Sequence, residues 1–129
     1  MTVVTSFVVT ALHGGEAAIG VGNPYVDTDN AILCDLYSDA NGGARQLSLY
    51  NDYANNQLDS EPYDWSPGNR YMLRLTRDGT AFACVLTAGL TGKTTTGVAV
   101  IPPGATKIGV GSLGISATFE WAMVVTSAP

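Results

Sequence analysis

Apolar and polar side chains alternate with a period of two along most of this chain, and such alternation is typical of β-strands that bury one face. The clearest example is a hairpin in which two alternating runs, 70–77 and 80–87, flank Asp78-Gly79. Both turn residues tolerate the left-handed backbone that a two-residue hairpin turn requires. The inward-facing positions predicted for the two strands are Tyr71, Leu73, Leu75, Phe82, Cys84 and Leu86.

The same alternation, together with many β-branched and aromatic residues, predicts further strands. Turn residues separate them, and no segment has the 3.6-residue period of a helix. Short strands without helices predict an all-β fold, an antiparallel two-sheet β-sandwich (jelly roll), as a single domain over residues 1–129. The other predicted strands are 2–12, 16–21, 31–38, 45–53, 97–101, 107–111 and 118–126, and the predicted turns and loops include 23–24, 27–30, 39–43, 55–69 and 89–96.

The same pattern assigns side chains to the core. Phe119, Trp121 and Met123 alternate in phase, so we expect all three to be buried against the hairpin. Cys34 and Cys84 also fall on predicted core faces, which favours two buried, reduced thiols. A disulfide stays possible if their two strands abut.

Composition excludes several classes of partner. The chain has 129 residues, enough for one hydrophobic core. Only 13% of residues are charged and the formal net charge is −5, so the basic surface needed to displace counterions from nucleic acid is missing. No apolar run approaches the length of a membrane helix, and the N-terminal segment lacks the positive region of a signal peptide. We expect a soluble protein that binds neither nucleic acid nor membrane.

Five segments carry a pattern found in one superfamily of β-sandwiches. A small-residue strand at 15–21 precedes an Asp-rich turn and strand at 27–37, and a hairpin occupies 68–79. Near the end, segment 108–112 precedes the aromatic-acidic-Trp triplet of residues 119–121. In this combination the chain resembles the concanavalin A-like jelly-roll superfamily, which includes laminin-G-like and lectin/glucanase-type domains. The resemblance implies a jelly-roll fold and burial of the triplet's rings.

Catalytic groups are sparse. Hydrolases of that superfamily place acidic residues at alternate positions of one strand, and retaining hydrolysis needs two carboxyl groups roughly 5 Å apart. Glu16, Glu61 and Glu120 lie on separate segments. His13 lies in a Gly-rich turn without a matched nucleophile. We therefore expect no enzymatic activity and no cofactor.

The turn at 27–30 holds a candidate for a metal site. Asp27, Asp29 and Asn30 carry oxygen ligands of the kind that Ca²⁺ prefers. Such side chains more often hydrogen-bond the backbone of their own turn. The expectation is that no metal binds here.

Strand faces that point away from the predicted core supply candidates for ligand binding. If strands 31–38, 45–53, 70–77 and 80–87 share a sheet, that face presents tyrosines beside hydrogen-bonding groups. Tyrosines stack on sugar rings or anchor protein partners, and the alternative is an ordinary solvated face. The candidates are Asp35, Tyr37, Gln46, Ser48, Tyr50, Met72 and Arg74.

A loop between Pro62 and Pro67 adds Tyr63 and Trp65 to these candidates. We expect the loop to lie at one rim of the sandwich, where Trp65 either grips a ligand or plugs the end of the core. The plug is the favoured interpretation.

Two functions from different classes fit these features. Low charge, many small residues, and apolar residues on both faces of 2–12 and 118–126 favour a non-catalytic protein that packs into an assembly. We predict an exposed component of a phage particle, a capsid decoration or tail protein at the virion surface, oligomeric and bound to other virion proteins. The alternative is an extracellular, lectin-like carbohydrate-binding module whose ligand is a glycan. The lack of a signal peptide favours the first, because phage proteins leave the cell by lysis.

Overall fold

Ten strands make up the described part of the chain, residues 1–39 and 44–126, in a computed structural model of the protein. No helix occurs in these two ranges, and therefore none that could span a membrane. The strands are β1 (Thr2–Leu12), β2 (Ala17–Asp27), β3 (Asn30–Ser38), β4 (Gln46–Asn51), β5 (Asn56–Pro62), β6 (Arg70–Asp78), β7 (Ala81–Ala88), β8 (Thr91–Val98), β9 (Gly109–Leu113) and β10 (Ile115–Val125).

The strands form two antiparallel sheets of five. The first sheet has the order β10-β1-β6-β7-β8, and the second has the order β5-β4-β3-β2-β9. Alternate side chains of both sheets point into one shared core. The predicted all-β class and the antiparallel two-sheet β-sandwich are therefore confirmed.

The core is built from the inward face of every long strand. The predicted hairpin forms, with its two-residue turn at Gly79-Thr80, one residue later than predicted, and all six of its inward positions are buried. Burying one such aliphatic side chain stabilises the fold by about 1.5–3 kcal/mol. The largest fully buried side chains include Trp65, Phe7, Ile19, Ile32, Leu36, Leu47, Leu49, Leu73, Leu75 and Leu86.

The two cysteines form a disulfide that joins the sheets. Cys34 on β3 and Cys84 on β7 lie with their Cα atoms 5.3 Å apart, and their sulfurs are bonded. Both lie in the core, as predicted, but the expectation of reduced thiols is wrong. Alternation places each residue on an inner face and says nothing about which residue faces it from the opposite sheet.

Strand β10 changes phase at Glu120. Its register on β1 pairs Phe7 with Phe119 and Ser6 with Trp121, so Glu120 is an extra residue, a β-bulge. Phe119 packs against the core, whereas Trp121 is 43% exposed on the outer face of the first sheet. Met123 follows Trp121 outward. The prediction that Trp121 and Met123 are buried is wrong because one extra residue moves all later side chains to the other face.

Two polar edge strands were missed. β5 lies where the loop 55–69 was predicted, and β8 lies where the loop 89–96 was predicted. Each is the outermost strand of its sheet, and edge strands carry polar side chains because one side faces solvent. The predicted strand 97–101 does not form, since β8 ends at Val98.

Other strand boundaries differ from the predicted ones by a few residues. β2 runs on through the predicted turn at 23–24, with an irregular register between Gly22 and Tyr25. β9 and β10 begin at Gly109 and Ile115. Residues 40–43 of the predicted hairpin loop lie outside the described residues, but β3 and β4 pair as that hairpin requires.

Candidate functional site

A groove of about 530 Å³ crosses the outer face of the second sheet. Strands β2, β3, β4 and β9 form most of it, and the turns beside them close its ends. These strands pair through regular ladders, so side chains in neighbouring strands stand in rows across the sheet.

Small residues around one aspartate form the floor. In the row across the sheet, Asp35 pairs with Ser48 on one side and with Gly20 on the other, and Gly20 pairs with Gly111. A Cβ atom at Gly20 would lie 2.1 Å from the Cys34 carbonyl oxygen and 2.7 Å from the Asp35 Cα, so only glycine fits. A Cβ at Gly111 would meet nothing within 4 Å, so its missing side chain leaves the floor open.

Tyrosines and leucines form the walls. Tyr37 lies two residues beyond Asp35 on β3, and its row continues through Ala18 to Leu113. On the other side of Asp35, Leu33 pairs with Tyr50 of β4. The Tyr50 hydroxyl donates to Asn55 Oδ1 at 2.8 Å, which fixes its ring. The groove therefore has an aromatic ring on each side of a polar floor.

Asp35 is the most perturbed group of the groove. It is 8% exposed, and its Oδ1 atom has no hydrogen-bond partner. Burial raises the pKa of Asp35 to about 7, and the charges of Asp52 and Glu16 act in the same direction, while a hydrogen bond from Ser48 opposes them. Near neutral pH, this carboxyl group accepts or releases a proton readily.

Asp52, which follows the last residue of β4, also has a buried carboxylate oxygen and a raised pKa. Its Oδ2 atom is buried without a hydrogen-bond partner. Burial raises the pKa of Asp52 to about 6, and the charge of Asp29 adds to the shift. Glu16 is the third carboxyl group, and no Lys or Arg is found among the described residues that line the groove. The groove is thus acidic and rich in hydrogen-bond acceptors.

The candidate residues divide between the two sheets. Asp35, Tyr37 and Tyr50 come together in the groove, with Ser48. Gln46 pairs with Tyr37 and donates to the Gln57 side chain. Met72 and Arg74 lie on β6 of the first sheet, so the assumption that their strands share a sheet with 31–38 and 45–53 is wrong. Sequence distance cannot tell which hairpins join which sheet.

Trp65 plugs the core, as the favoured interpretation expected. It is fully buried, its Nε1 donates to the Tyr37 carbonyl oxygen at 3.1 Å, and the Arg45 guanidinium lies 5.2 Å from its ring centroid. Tyr63 is half-buried and packs edge-on against Tyr71, with ring centroids 6.1 Å apart. Neither side chain lines the groove, although Trp65 supports the backbone of Tyr37 from below.

In the acidic turn at 27–30, the carboxylate of Asp27 accepts hydrogen bonds from residues of the same turn. Asp27 Oδ1 accepts hydrogen bonds from the Asp29 amide at 2.9 Å and from Asn30 Nδ2 at 2.8 Å, and these bonds lower the pKa of Asp27. No group of three His, Cys, Asp or Glu residues that could hold a metal ion occurs within 1–39 and 44–126. These side chains therefore stabilise the backbone of their own turn, which is the role that such residue types favour.

His13 has a hydroxyl partner that the sequence did not predict. Its Nε2 lies 2.7 Å from Ser116 Oγ, because the end of β1 pairs with the start of β10 and brings His13 beside Ser116. Glu120 pairs with Arg70, at 2.6 Å.

Several groove residues were not predicted, because they depend on the order of strands in the sheet. Gly111 and Leu113 reach the floor and the wall because β9 pairs with β2, which is far from it in the sequence. Glu16 and Asp52 lie in turns at the two ends of the groove. The available signal was the run of glycines in β2 and β9, which is unusual in a strand interior and marks a close approach or an open surface.

Neither the models of known protein families nor the curated proteins include a match to this sequence. Among solved structures, the chain is similar to the carbohydrate-binding module CBM66 from Bacillus subtilis, with a TM-score of 0.61 and 14% sequence identity. The similarity covers 92% of this chain and 70% of that one. At this identity it shows a shared fold, the β-sandwich of a carbohydrate-binding module.

Proposed function

We propose that this chain is a non-catalytic, lectin-like protein that binds a glycan in the groove of the second sheet. The observation that carries the proposal is the buried, unpartnered carboxyl group of Asp35 on a floor between Tyr37 and Tyr50. The fold shared with a carbohydrate-binding module supports it. The function needs neither a catalytic residue nor a cofactor.

The groove offers the two contacts that a sugar needs. A tyrosine ring presents a flat apolar surface to the C–H face of a pyranose or furanose ring. Asp35 and Ser48 provide hydrogen-bonding atoms at the floor, where they meet sugar hydroxyl groups. Tyr37 lies roughly 7 Å along β3 from Asp35, about the width of one sugar ring. One ring can therefore stack on the wall while its hydroxyls reach the floor.

The resemblance to the concanavalin A-like superfamily belongs to the same proposal. Two antiparallel five-stranded sheets and the similarity to a carbohydrate-binding module support a lectin-like origin for the fold. The closing triplet departs from the pattern, because Trp121 lies on the surface beyond the bulge.

The test is binding to a panel of neutral, amino and acidic oligosaccharides by isothermal titration calorimetry. We expect saturable binding to at least one class, and at least a tenfold loss of affinity in Tyr37→Ala and Tyr50→Ala. Arg74→Ala, on the outer face of the first sheet, is the matched control and keeps the wild-type affinity. No binding to any member of the panel, or equal loss in the control, contradicts the proposal.

A second function is favoured by the outer face of the first sheet. Trp121, Met123 and Val125 of β10 are 43%, 50% and 48% exposed; Met123 pairs with Val4, and Trp121 lies in one row with Ser6 and Met72. Monomeric proteins seldom leave large apolar patches in water, so this face suits packing in an assembly. We propose that such packing places the chain at a virion surface, as an oligomeric phage decoration or tail component that displays the groove.

Sedimentation velocity at micromolar concentration tests this second function. The assembly proposal predicts an oligomer that Met123→Glu dissociates, because a carboxylate beside Trp121 and Val125 on this face is costly to bury in an interface. Thr94→Glu, on β8 of the same sheet, is the control and leaves the oligomer intact. A wild-type chain that stays monomeric contradicts the assembly role and leaves glycan binding unaffected.

A further inference from the structure

The groove contains negative charge that the described residues do not balance. Asp35 and Asp52 each have a buried carboxylate oxygen without a hydrogen-bond partner, and Glu16 lies at the same groove. No Lys or Arg is present among the described lining residues. A buried carboxylate is costly unless a cation or several donors satisfy it. The site is therefore short of positive charge.

We propose that the groove selects saccharides that carry a free amino group, a deacetylated hexosamine for example, with the ammonium group bound against Asp35. The inference rests on the proposed glycan-binding function and specifies its ligand class.

An ammonium group fits this floor better than a hydroxyl group does. It offers three donors and a full positive charge, whereas a hydroxyl group donates one hydrogen. A neutral sugar that covers Asp35 removes its remaining water without supplying charge, which adds to the cost of burial. A sugar carboxylate or sulfate would meet three groups of its own sign, since Glu16 and Asp52 flank the same groove. The expected order of affinity is amino, then neutral, then acidic.

A bare metal ion fits the groove less well. Ca²⁺ takes six to eight oxygen ligands, and within 1–39 and 44–126 no three acidic, His or Cys side chains are close enough to hold one. The walls instead present Tyr37, Tyr50 and Leu33, which suit the apolar face of a sugar ring.

Proton binding by Asp35 gives this selectivity a pH dependence. The charged groups that act on Asp35 are Asp52 and Glu16, with Ser48 as a hydrogen-bond partner, and the other titratable side chains of the groove include Tyr25, Tyr37 and Tyr50. The pKa of Asp35 is raised to about 7, so its charge is lost as the pH falls through that value. Affinity for an amino sugar therefore weakens below pH 7, while affinity for a neutral sugar is kept.

Two oligosaccharides of equal length provide the test, a glucosamine oligomer and its fully N-acetylated form, titrated into the full chain by calorimetry at pH 7.0, where part of the amino groups is protonated, and at pH 5.5. We expect the glucosamine oligomer to bind at least tenfold more tightly at pH 7.0, with the difference reduced at pH 5.5. Asp35→Asn removes the charge and keeps the shape, so it abolishes the preference. Asp78→Asn, at the exposed β6–β7 turn, is the matched control and retains it.

The outcomes separate the two proposals. Equal binding of both oligomers, or tighter binding of the acetylated one, overturns the amino-group selectivity and leaves glycan binding standing. A lack of binding by these two oligomers and by the neutral and acidic panel overturns both. Thermal melts verify that Asp35→Asn is folded, and Asp52→Asn, at the less buried carboxyl group, should reduce the preference in the same direction. A preference unchanged in both variants overturns the proposed contact.

Discussion

At the scale of single residues, Gly20 and Gly111 flank the groove floor for different reasons. At Gly20 a side chain would collide with the backbone of Cys34 and Asp35, whereas at Gly111 the space above the backbone is open. Glycine is required for packing at the first position. At the second it is required only if a ligand occupies the space.

This difference predicts opposite results for two alanine substitutions. Gly20→Ala lowers the free energy of unfolding by about 1–3 kcal/mol, because backbone atoms must move to admit the methyl group. Gly111→Ala leaves stability unchanged or raises it by about 0.5 kcal/mol, and it weakens oligosaccharide binding because the methyl group enters the groove. Urea denaturation and calorimetric titration of both variants measure this. A Gly20→Ala variant as stable as the wild type contradicts the close contact between β2 and β3.

The raised pKa of Asp35 also predicts how the stability of the fold depends on pH. Its pKa rises from 3.8 to about 7 on folding, so the folded state binds more protons than the unfolded state between these values. This contribution is fully present below pH 4 and is lost as the pH rises through 7. Its size is on the order of 2–4 kcal/mol, since one pKa unit corresponds to about 1.4 kcal/mol. Asp52, whose pKa is about 6, adds a smaller effect of the same sign.

The measurement is the urea midpoint of wild type and Asp35→Asn at intervals from pH 4 to pH 8. Relative to the variant, the wild type should lose stability as the pH rises. Glu120, whose pKa is lowered by Arg70 and Ser6, acts oppositely and is common to both proteins, so it cancels in the difference. Parallel pH profiles would show that Asp35 is not buried as described.

The groove residues that could be predicted are those whose position depends only on the nearby sequence. Asp35, Tyr37 and Tyr50 were identified because alternation along two neighbouring strands places them on one face. Glu16 and Gly111 were not, because they reach the groove only through the pairing of β9 with β2 and the path of the turn before β2.

At the scale of elements, the bulge at Glu120 decides what β10 buries. The side chain of Glu120 accepts from Ser6 and from Arg70, which holds the extra residue on the outer face of the first sheet. Phe119 before the bulge lies 5.7 Å from Phe7, centroid to centroid, and Trp121 after it faces outward. The alternation in the sequence is regular here, so nothing in it marks the bulge.

The bulge predicts an unusual ranking of two aromatic substitutions. Phe119→Ala should lower the free energy of unfolding by about 2–3 kcal/mol, because its ring packs on the core. Trp121→Ala, although it removes more atoms, should cost about 1 kcal/mol or less, since its ring lies on the surface. Chemical denaturation of both variants provides the comparison. A larger loss for Trp121→Ala would mean that β10 continues without a bulge.

The disulfide is the covalent link between the sheets. It closes a loop of 50 residues between β3 and β7, for which the chain-entropy model gives a stabilisation of about 4 kcal/mol. Reduction, or the double substitution of Cys34 and Cys84 by alanine, should lower the unfolding midpoint accordingly. Titration with a thiol reagent in denaturant, before and after reduction, is the accompanying check. Two free thiols in the unreduced protein would contradict the bridge.

Elements were predicted well where their signal is local and poorly at the sheet edges. The β6–β7 hairpin forms as expected, since Asp78-Gly79 and two alternating runs specify it without help from distant parts of the chain. β5 and β8 carry little hydrophobic alternation because their outer sides face solvent. Their pairing partners, not their own composition, make them strands.

At the scale of the whole molecule, the order of strands separates two outer faces with different chemistry. The second sheet carries an acidic groove with tyrosine walls, and the first carries exposed apolar side chains around Trp121 and Met123. The β-sandwich class followed from many short strands without helices. The division of the strands between the sheets did not, because it depends on contacts between residues far apart in the sequence.

Chemical-shift mapping tests most directly whether a glycan binds in the groove of the second sheet. The ¹⁵N-labelled protein is titrated with the oligosaccharide that binds most tightly, and the amide shifts are followed. We predict saturable shifts concentrated at Gly20, Asp35 and Gly111, which form the floor. Shifts confined to Val4 and Met72, on the outer face of the first sheet, would contradict it.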